Sequence, residues 1–189
     1  MLDLNAPARQ VTALVTEVGG DQLTGPTPCP GMTVAALLEH IRALSMEFTR
    51  AATKTNVAGG GAPPPPSADH LPGDWREQIP SELSALAGAW QLPDAWAGET
   101  TAGGVTWPAE VMGLVAFNEL VIHGWDLAVS TGQAYRPDDD TVQVSYDFLL
   151  QTADDPEGRA EIYGPVVPVA EDASLLDRTI GLAGRDPSF

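Results

Sequence analysis

Between Met112 and Ala128 the chain reads MGLVAFNELVIHGWDLA, with polar side chains only at Asn118, Glu119, His123 and Asp126. Thr106 and Pro108 supply N-cap and first-turn signals ahead of this run, and the helix they predict extends to about Thr131, before Gly132. Such a helix is apolar nearly all round, so it is stable only when other elements cover every side of it. The fold must therefore surround this segment. It must also give its four polar groups partners, because an ionisable group buried alone is costly.

The covering elements are legible as helices. Ala8, Val11, Leu14 and Val15 fall at helical spacing in LNAPARQVTALVTEV, which Gly19-Gly20 ends. The turn residues of TGPTPCPGMT make a loop. Thr33 then caps VAALLEHIRALSMEFTRAAT, whose stripe Leu37, His40/Ile41, Leu44 and Phe48 is amphipathic. NVAGGGAPPPPSADH is too rich in Gly and Pro for any element and reads as a long, mobile surface connection. A third helix covers DWREQIPSELSALAGAW, with Pro80 kinking it or starting its longer half. GETTAGGVTW fits a small β-hairpin about Gly103-Gly104. DDDTVQVSYDFLLQTA reads as a further helix, its Asp run at the positive end of the helix dipole. The tail GPVVPVAEDASLLDRTIGLAGRDP reads as an extended stretch and a short last helix. There is no internal repeat, and the expectation is one all-α domain over 1–189, a bundle with long connections and extra C-terminal helices.

Bulk properties narrow the class. A chain of 189 residues can bury a real core in one domain, and 43% apolar residues is ordinary for a globular protein. No run is long and apolar enough for a bilayer, and MLDLNAPARQ lacks a signal-peptide shape. Cys29 is the single cysteine, so a reducing cytoplasm is the simplest compartment. The net charge of −17 argues against nucleic acid or an anionic membrane as partner. Lys54 is the only lysine beside eight arginines, and residues with GC-rich codons are favoured, which hints at a GC-rich bacterial genome. There is no phosphate-binding glycine loop, no G-x-S-x-G and no H-E-x-x-H.

Four residues apart on a helix, Glu119 and His123 share a face. Asp126 lies near it but roughly 10 Å along the axis from Glu119, so one ion cannot easily take both carboxylates. His123 can therefore be a ligand with Glu119 and be supported by Asp126, or the reverse. His40 stands in the core stripe of the second helix where a leucine is expected. Two helices aiming ionisable groups into a core is how bundles build metal sites, and His40, Glu119 and His123 form a two-histidine, one-carboxylate set with an open position. That set suits Zn, Fe(II), Mn or Ni. The competing reading has no metal, with the histidines simply bonded to Glu119 or Asp126. His70 reads as a surface residue that reaches the site only if its loop folds over. Cys29 reads either as a half-buried inert thiol or as a reactive one near a loop-lined pocket. Trp107 and Trp125 read as core or pocket wall, and Glu47 as solvated or a minor site candidate.

TPCPGMTVAALLEHI followed by NELVIHGWDLAVSTG resembles the metal-binding domain of mycothiol-dependent maleylpyruvate isomerases, within the DinB-like superfamily. The C-terminal stretch from Gly164 further resembles an actinobacterial branch of that group. The resemblance spans nearly the whole chain. It implies a four-helix bundle with a long crossover and a divalent metal, usually zinc, held by His40, Glu119 and His123, with Asp126 orienting His123. It implies, as activity, metal activation of a low-molecular-weight thiol such as mycothiol for isomerisation or S-transfer to an electrophile, or else a non-catalytic metal-binding or stress-sensing module. A small-molecule thiol and an electrophile are then the partners, and the oligomeric state stays open, a homodimer included. The second domain of the complete isomerase is missing here, and no arginine corresponds to its substrate-binding arginines, so maleylpyruvate itself is not implied.

Overall fold

The computed structural model describes residues 1–56, 64–155, 159 and 163–189. Among these are six α-helices: α1 (Asn5–Glu17), α2 (Val34–Ala52), α3 (Trp75–Ala89), α4 (Ala109–Thr131), α5 (Asp139–Leu150) and α6 (Leu175–Leu182). Strands β1 (Glu99–Ala102) and β2 (Val105–Pro108) pair antiparallel, with Thr101 opposite Thr106. The all-α fold with a small hairpin is therefore as expected. Residues 57–63, the middle of the Gly- and Pro-rich connection, lie outside the described residues.

α1 and α2 each pack against both α3 and α4, which places α1 and α2 at opposite corners of a four-helix bundle. The core takes Val11, Leu14 and Val15 of α1 and Leu37, Ile41 and Phe48 of α2 from the stripes read in sequence, and adds Leu38 of α2 and Ile79, Leu83 and Leu86 of α3. Each leucine or isoleucine fully buried there contributes about 1.5–3 kcal/mol. α4 is covered on its remaining side by α5, α6 and the tail, where Ile122 and Trp125 join Leu149, Tyr163 and Ile180. α4 thus has packed neighbours around it except where Met112, Val115, Glu119, Ile122 and His123 line an open cleft.

Caps fall mostly where the residue types put them. Thr33 accepts from Ala36 N at 3.3 Å, Asp138 from Thr141 N at 2.7 Å and Ser174 from Asp177 N at 3.0 Å. Thr106 is a correction. It lies inside β2, its hydroxyl 2.8 Å from that of Thr101, and α4 starts directly off the strand behind Pro108. A threonine before a proline fits an edge strand as well as a cap, and the pairing with β1 decides. Pro80 neither starts nor divides α3, which runs through it. The hairpin turns at Gly103 and Gly104, whose φ angles of 58° and 85° match the positive pair that a two-residue turn requires. Glu47, read as solvated or a minor site candidate, is partly exposed on the cleft wall and also anchors this hairpin: its carboxylate accepts from Gly103 N at 3.1 Å and from Asn56 Nδ2 at 3.1 Å.

Candidate metal centre

The polar residues of α4 meet side chains from four other parts of the chain: α2, the loop before it, α5 and the tail. His40 comes from α2, and its ring stands edge-on to His123 with centroids 4.8 Å apart. Glu119 Oε2 lies 3.0 Å from His123 Nε2, as the four-residue spacing requires. One turn further on, Asp126 Oδ2 lies 2.9 Å from His123 Nδ1. The imidazole of His123 is thus held at both nitrogens, by carboxylates above and below it on its own helix. Candidate donor atoms of His40, Glu119 and His123 lie within 4.8 Å of one another, so the three residues singled out from the sequence do converge.

Two residues that spacing gave no means to place complete the cluster. Cys29 is buried rather than half-buried, and its thiol donates to Asp126 Oδ2 at 3.1 Å. The loop is built to aim it inward: Thr27 Oγ1 accepts from Cys29 N at 3.2 Å and lies 3.2 and 3.0 Å from the carbonyls of Cys29 and Met32. Arg185, from the tail, donates through Nη2 to Asp126 Oδ2 at 3.1 Å and through Nε to Oδ1 at 3.3 Å. It arrives there because the chain turns back just after α6 at Gly184, whose φ is 80° and whose Cα packs against Gly164 too closely for a side chain. Cys29, His123 and Asp126 form a second set of donors, overlapping the first at His123. The sequence left open whether His123 pairs with Glu119 or with Asp126, and Cys29 is an addition to the second of these. The guanidinium already against Asp126 favours the set with His40 and Glu119, because it supplies the positive charge on the other side.

Titration follows from these contacts. Burial pushes His40 down to about 4, helped by the neighbouring His123, so its imidazole is neutral at physiological pH. Burial also opposes charge on His123, but its bonds to Asp126, Cys29 and Glu119 outweigh that and raise its pKa well above 6.5. Glu119 and Asp126 are lowered despite burial, chiefly by the bond to His123 and, at Asp126, by Arg185. The protein without an ion is therefore a satisfied imidazolium between two carboxylates. Asn118, the remaining polar residue of α4, donates to the Tyr163 hydroxyl at 2.8 Å and accepts from Ser145, which joins α4 to α5 and the tail.

The cluster opens onto a cleft of about 890 Å³, with His40, Glu119, His123, Cys29, Trp107 and Arg185 on its wall. Trp125 is core, as expected. His70 is exposed in a short turn over Ala68–His70 and is not among the cleft's lining residues.

A helical bundle that gathers two histidines and a carboxylate from facing helices at the end of an open cleft belongs to the class of bundles able to hold a metal in their core. Residues 4–128 match the family described as the mycothiol maleylpyruvate isomerase N-terminal domain, and the chain belongs to that family. Two curated relatives, uncharacterised proteins from two strains of Mycobacterium tuberculosis, are each 30% identical over 122 residues, 65% of this chain and 62% of theirs. The chain thus matches less than two thirds of their length. No solved structure matches it. The tail that delivers Arg185 and Tyr163 lies beyond the family match. No described helix is long and apolar enough to cross a membrane.

Proposed function

We propose that this protein is a metal-dependent thiol transferase or isomerase in which a divalent ion, zinc by preference, is held by His40, Glu119 and His123, and a low-molecular-weight thiol such as mycothiol is the cosubstrate. The observation that carries this reading is the convergence of the three donors on the wall of a cleft large enough for two small molecules. A non-catalytic module has less need of such an opening. Bound there, the ion would lower the pKa of a thiol and favour thiolate at neutral pH.

The chain's own residues prepare that chemistry. Asp126 holds the Nδ1 hydrogen of His123, so that an ion displacing the Nε2 proton shared with Glu119 would meet the lone pair on the side of Glu119 and His40. Arg185 neutralises Asp126, so Asp126 does not compete as a ligand. Charge then points to an anionic cosubstrate: a divalent ion, two neutral imidazoles, Glu119 and the Asp126–Arg185 pair leave one excess positive charge, which one thiolate balances. Mycothiol fits the family to which the chain belongs.

Elemental analysis of the purified protein and of His40→Ala provides the first test. The expected result is about one equivalent of divalent metal in the parent and at least a tenfold weaker affinity in the variant, in keeping with loss of a ligand. Mycothiol transfer to a model electrophile should then rise above background only in metal-replete parent protein. Equal and negligible metal in both proteins would leave the proton between Glu119 and His123 as the whole purpose of the cluster.

A further inference from the structure

The cleft walls say what kind of electrophile the thiol meets, an inference that rests on the transferase reading above. Beyond the cluster the wall is apolar: Met32, Met46, Trp107, Met112 and Val115 face the cavity, with Ile122 beneath. Its three arginines are Arg42, Arg50 and Arg185, and each has a carboxylate of the protein beside it, closely at Arg42 and Arg185 and in a half-exposed pair at Arg50. Arg42 Nε is 3.2 Å from Glu82 Oε1 and also donates to Gln78 Oε1 at 3.2 Å. Arg50 Nη1 is 3.5 Å from Glu47 Oε2. Arg185 spends Nε and Nη2 on Asp126 and Nη1 on the Ala183 carbonyl, at 2.8 Å. All nine cationic side chains of the chain are among the described residues, and no other lines the cleft.

Against those three guanidiniums stand Glu39, Glu47 and Glu119 on the wall, with Asp126 and Glu82 directly behind it. Carboxylates are in excess even before the chain's net charge of −17 is considered. An unsaturated dicarboxylate entering here would lose water and would have to compete with Glu82, Glu47 and Asp126 for a guanidinium fork, the recognition such a group requires. An uncharged apolar molecule loses nothing of the kind and gains the methionine and tryptophan surface, which adapts to varied shapes.

We infer that the second substrate is a neutral, largely apolar electrophile and not a dicarboxylate. For a haloarene the step balances simply. The thiol sulfur forms a bond to the ring carbon, the carbon–halogen bond breaks, halide leaves with the electron pair, and the thiol proton passes to solvent.

Calorimetry on the metal-free full chain separates this inference from the transferase reading, because it needs no turnover. Dinitrobenzene, a neutral unreactive arene, should bind at least tenfold more tightly than maleate. In Glu82→Gln, which frees Arg42, maleate affinity should rise several-fold while dinitrobenzene affinity stays within twofold. Maleate binding as tightly as dinitrobenzene in the parent protein would overturn the inference. With metal and mycothiol present, chlorodinitrobenzene should be consumed with a kcat/KM at least tenfold above that for maleate, and the reverse order would also overturn it. Turnover of neither compound would sink the transferase reading, and the calorimetric ranking would still decide what the cleft accepts.

Discussion

His40 and His123 are 4.8 Å apart between ring centroids yet titrate in opposite directions, and the difference lies in their partners. His123 has a carboxylate at each nitrogen, whereas His40 has burial and a cationic neighbour. A histidine lowered from 6.5 to about 4 binds fewer protons in the folded chain than in the unfolded one throughout that interval. Its neutral form therefore supports folding fully above pH 6.5, and the metal-free protein loses stability as pH falls from there toward about 4. The loss reaches about 3 kcal/mol at the acid end. His123 acts in a separate window, since its stabilisation is complete below 6.5 and fades only as pH rises through its elevated pKa. Glu119 and Asp126, being lowered, withdraw support only when acid titrates them below their ordinary range. Urea melts of chelator-treated protein at pH 7 and pH 5 should show the drop, and His40→Leu should flatten it. An unchanged slope in that variant would mean that His40 is not the titrating group.

At the scale of elements, α4 is the part most legible in sequence, because an all-round apolar helix admits only a central position. The same run exposed the candidate ligands, since Glu119 and His123 interrupt an otherwise apolar stretch. His40 was visible for the matching reason, as a polar residue in the apolar stripe of α2. Cys29 was visible only as a thiol near a loop-lined pocket and Arg185 not at all, because each comes from a loop or tail with no periodicity, and only long-range docking brings them to Asp126. Thr106 was misread because a strand edge and a helix cap favour the same residue at that place. Gly113 carried a message that spacing could not reveal. A Cβ there would lie 2.5 Å from Trp96 Cζ3 and 2.9 Å from Trp90 Cζ3, so α4 approaches the Trp90–Trp96 edge-to-face pair as closely as a bare backbone permits. Trp90 and Trp96 are themselves pinned through their indole N–H groups to Phe48 O at 3.1 Å and Trp90 O at 2.7 Å. They have little room to yield. Gly113→Ala should therefore destabilise the protein by about 1–3 kcal/mol despite alanine's better helix propensity. A urea midpoint at or above that of the parent would show that the indoles can move aside.

On the scale of the whole molecule, two hydrophobic clusters share one helix. Leu120, Val121 and Leu127 of α4 face the four-helix core, while Ile122 and Trp125 face Leu149, Tyr163 and Ile180. The second cluster rests on residues beyond the stretch that matches the family, so the question is whether that tail folds as a unit of its own. The polar links argue for one unit. Ser145 and Tyr163 both bond Asn118, and Arg185 bonds Asp126, so three tail residues satisfy groups of α4 that are wholly buried. If the tail opened alone, Asp126 would lose its guanidinium and Asn118 both partners, each a large penalty for groups held away from water. We therefore expect a single cooperative transition, with tryptophan fluorescence and far-UV circular dichroism giving coincident urea curves. Arg185→Met should lower the unfolding free energy by about 3 kcal/mol, because it leaves a buried carboxylate with only His123 and the Cys29 thiol to offset it. Both probes should move together, with the denaturant slope unchanged. Two resolved transitions in the parent, or a variant in which one probe shifts and the other stays, would make the tail a separate folding unit and the Asp126–Arg185 pair an interface between two parts.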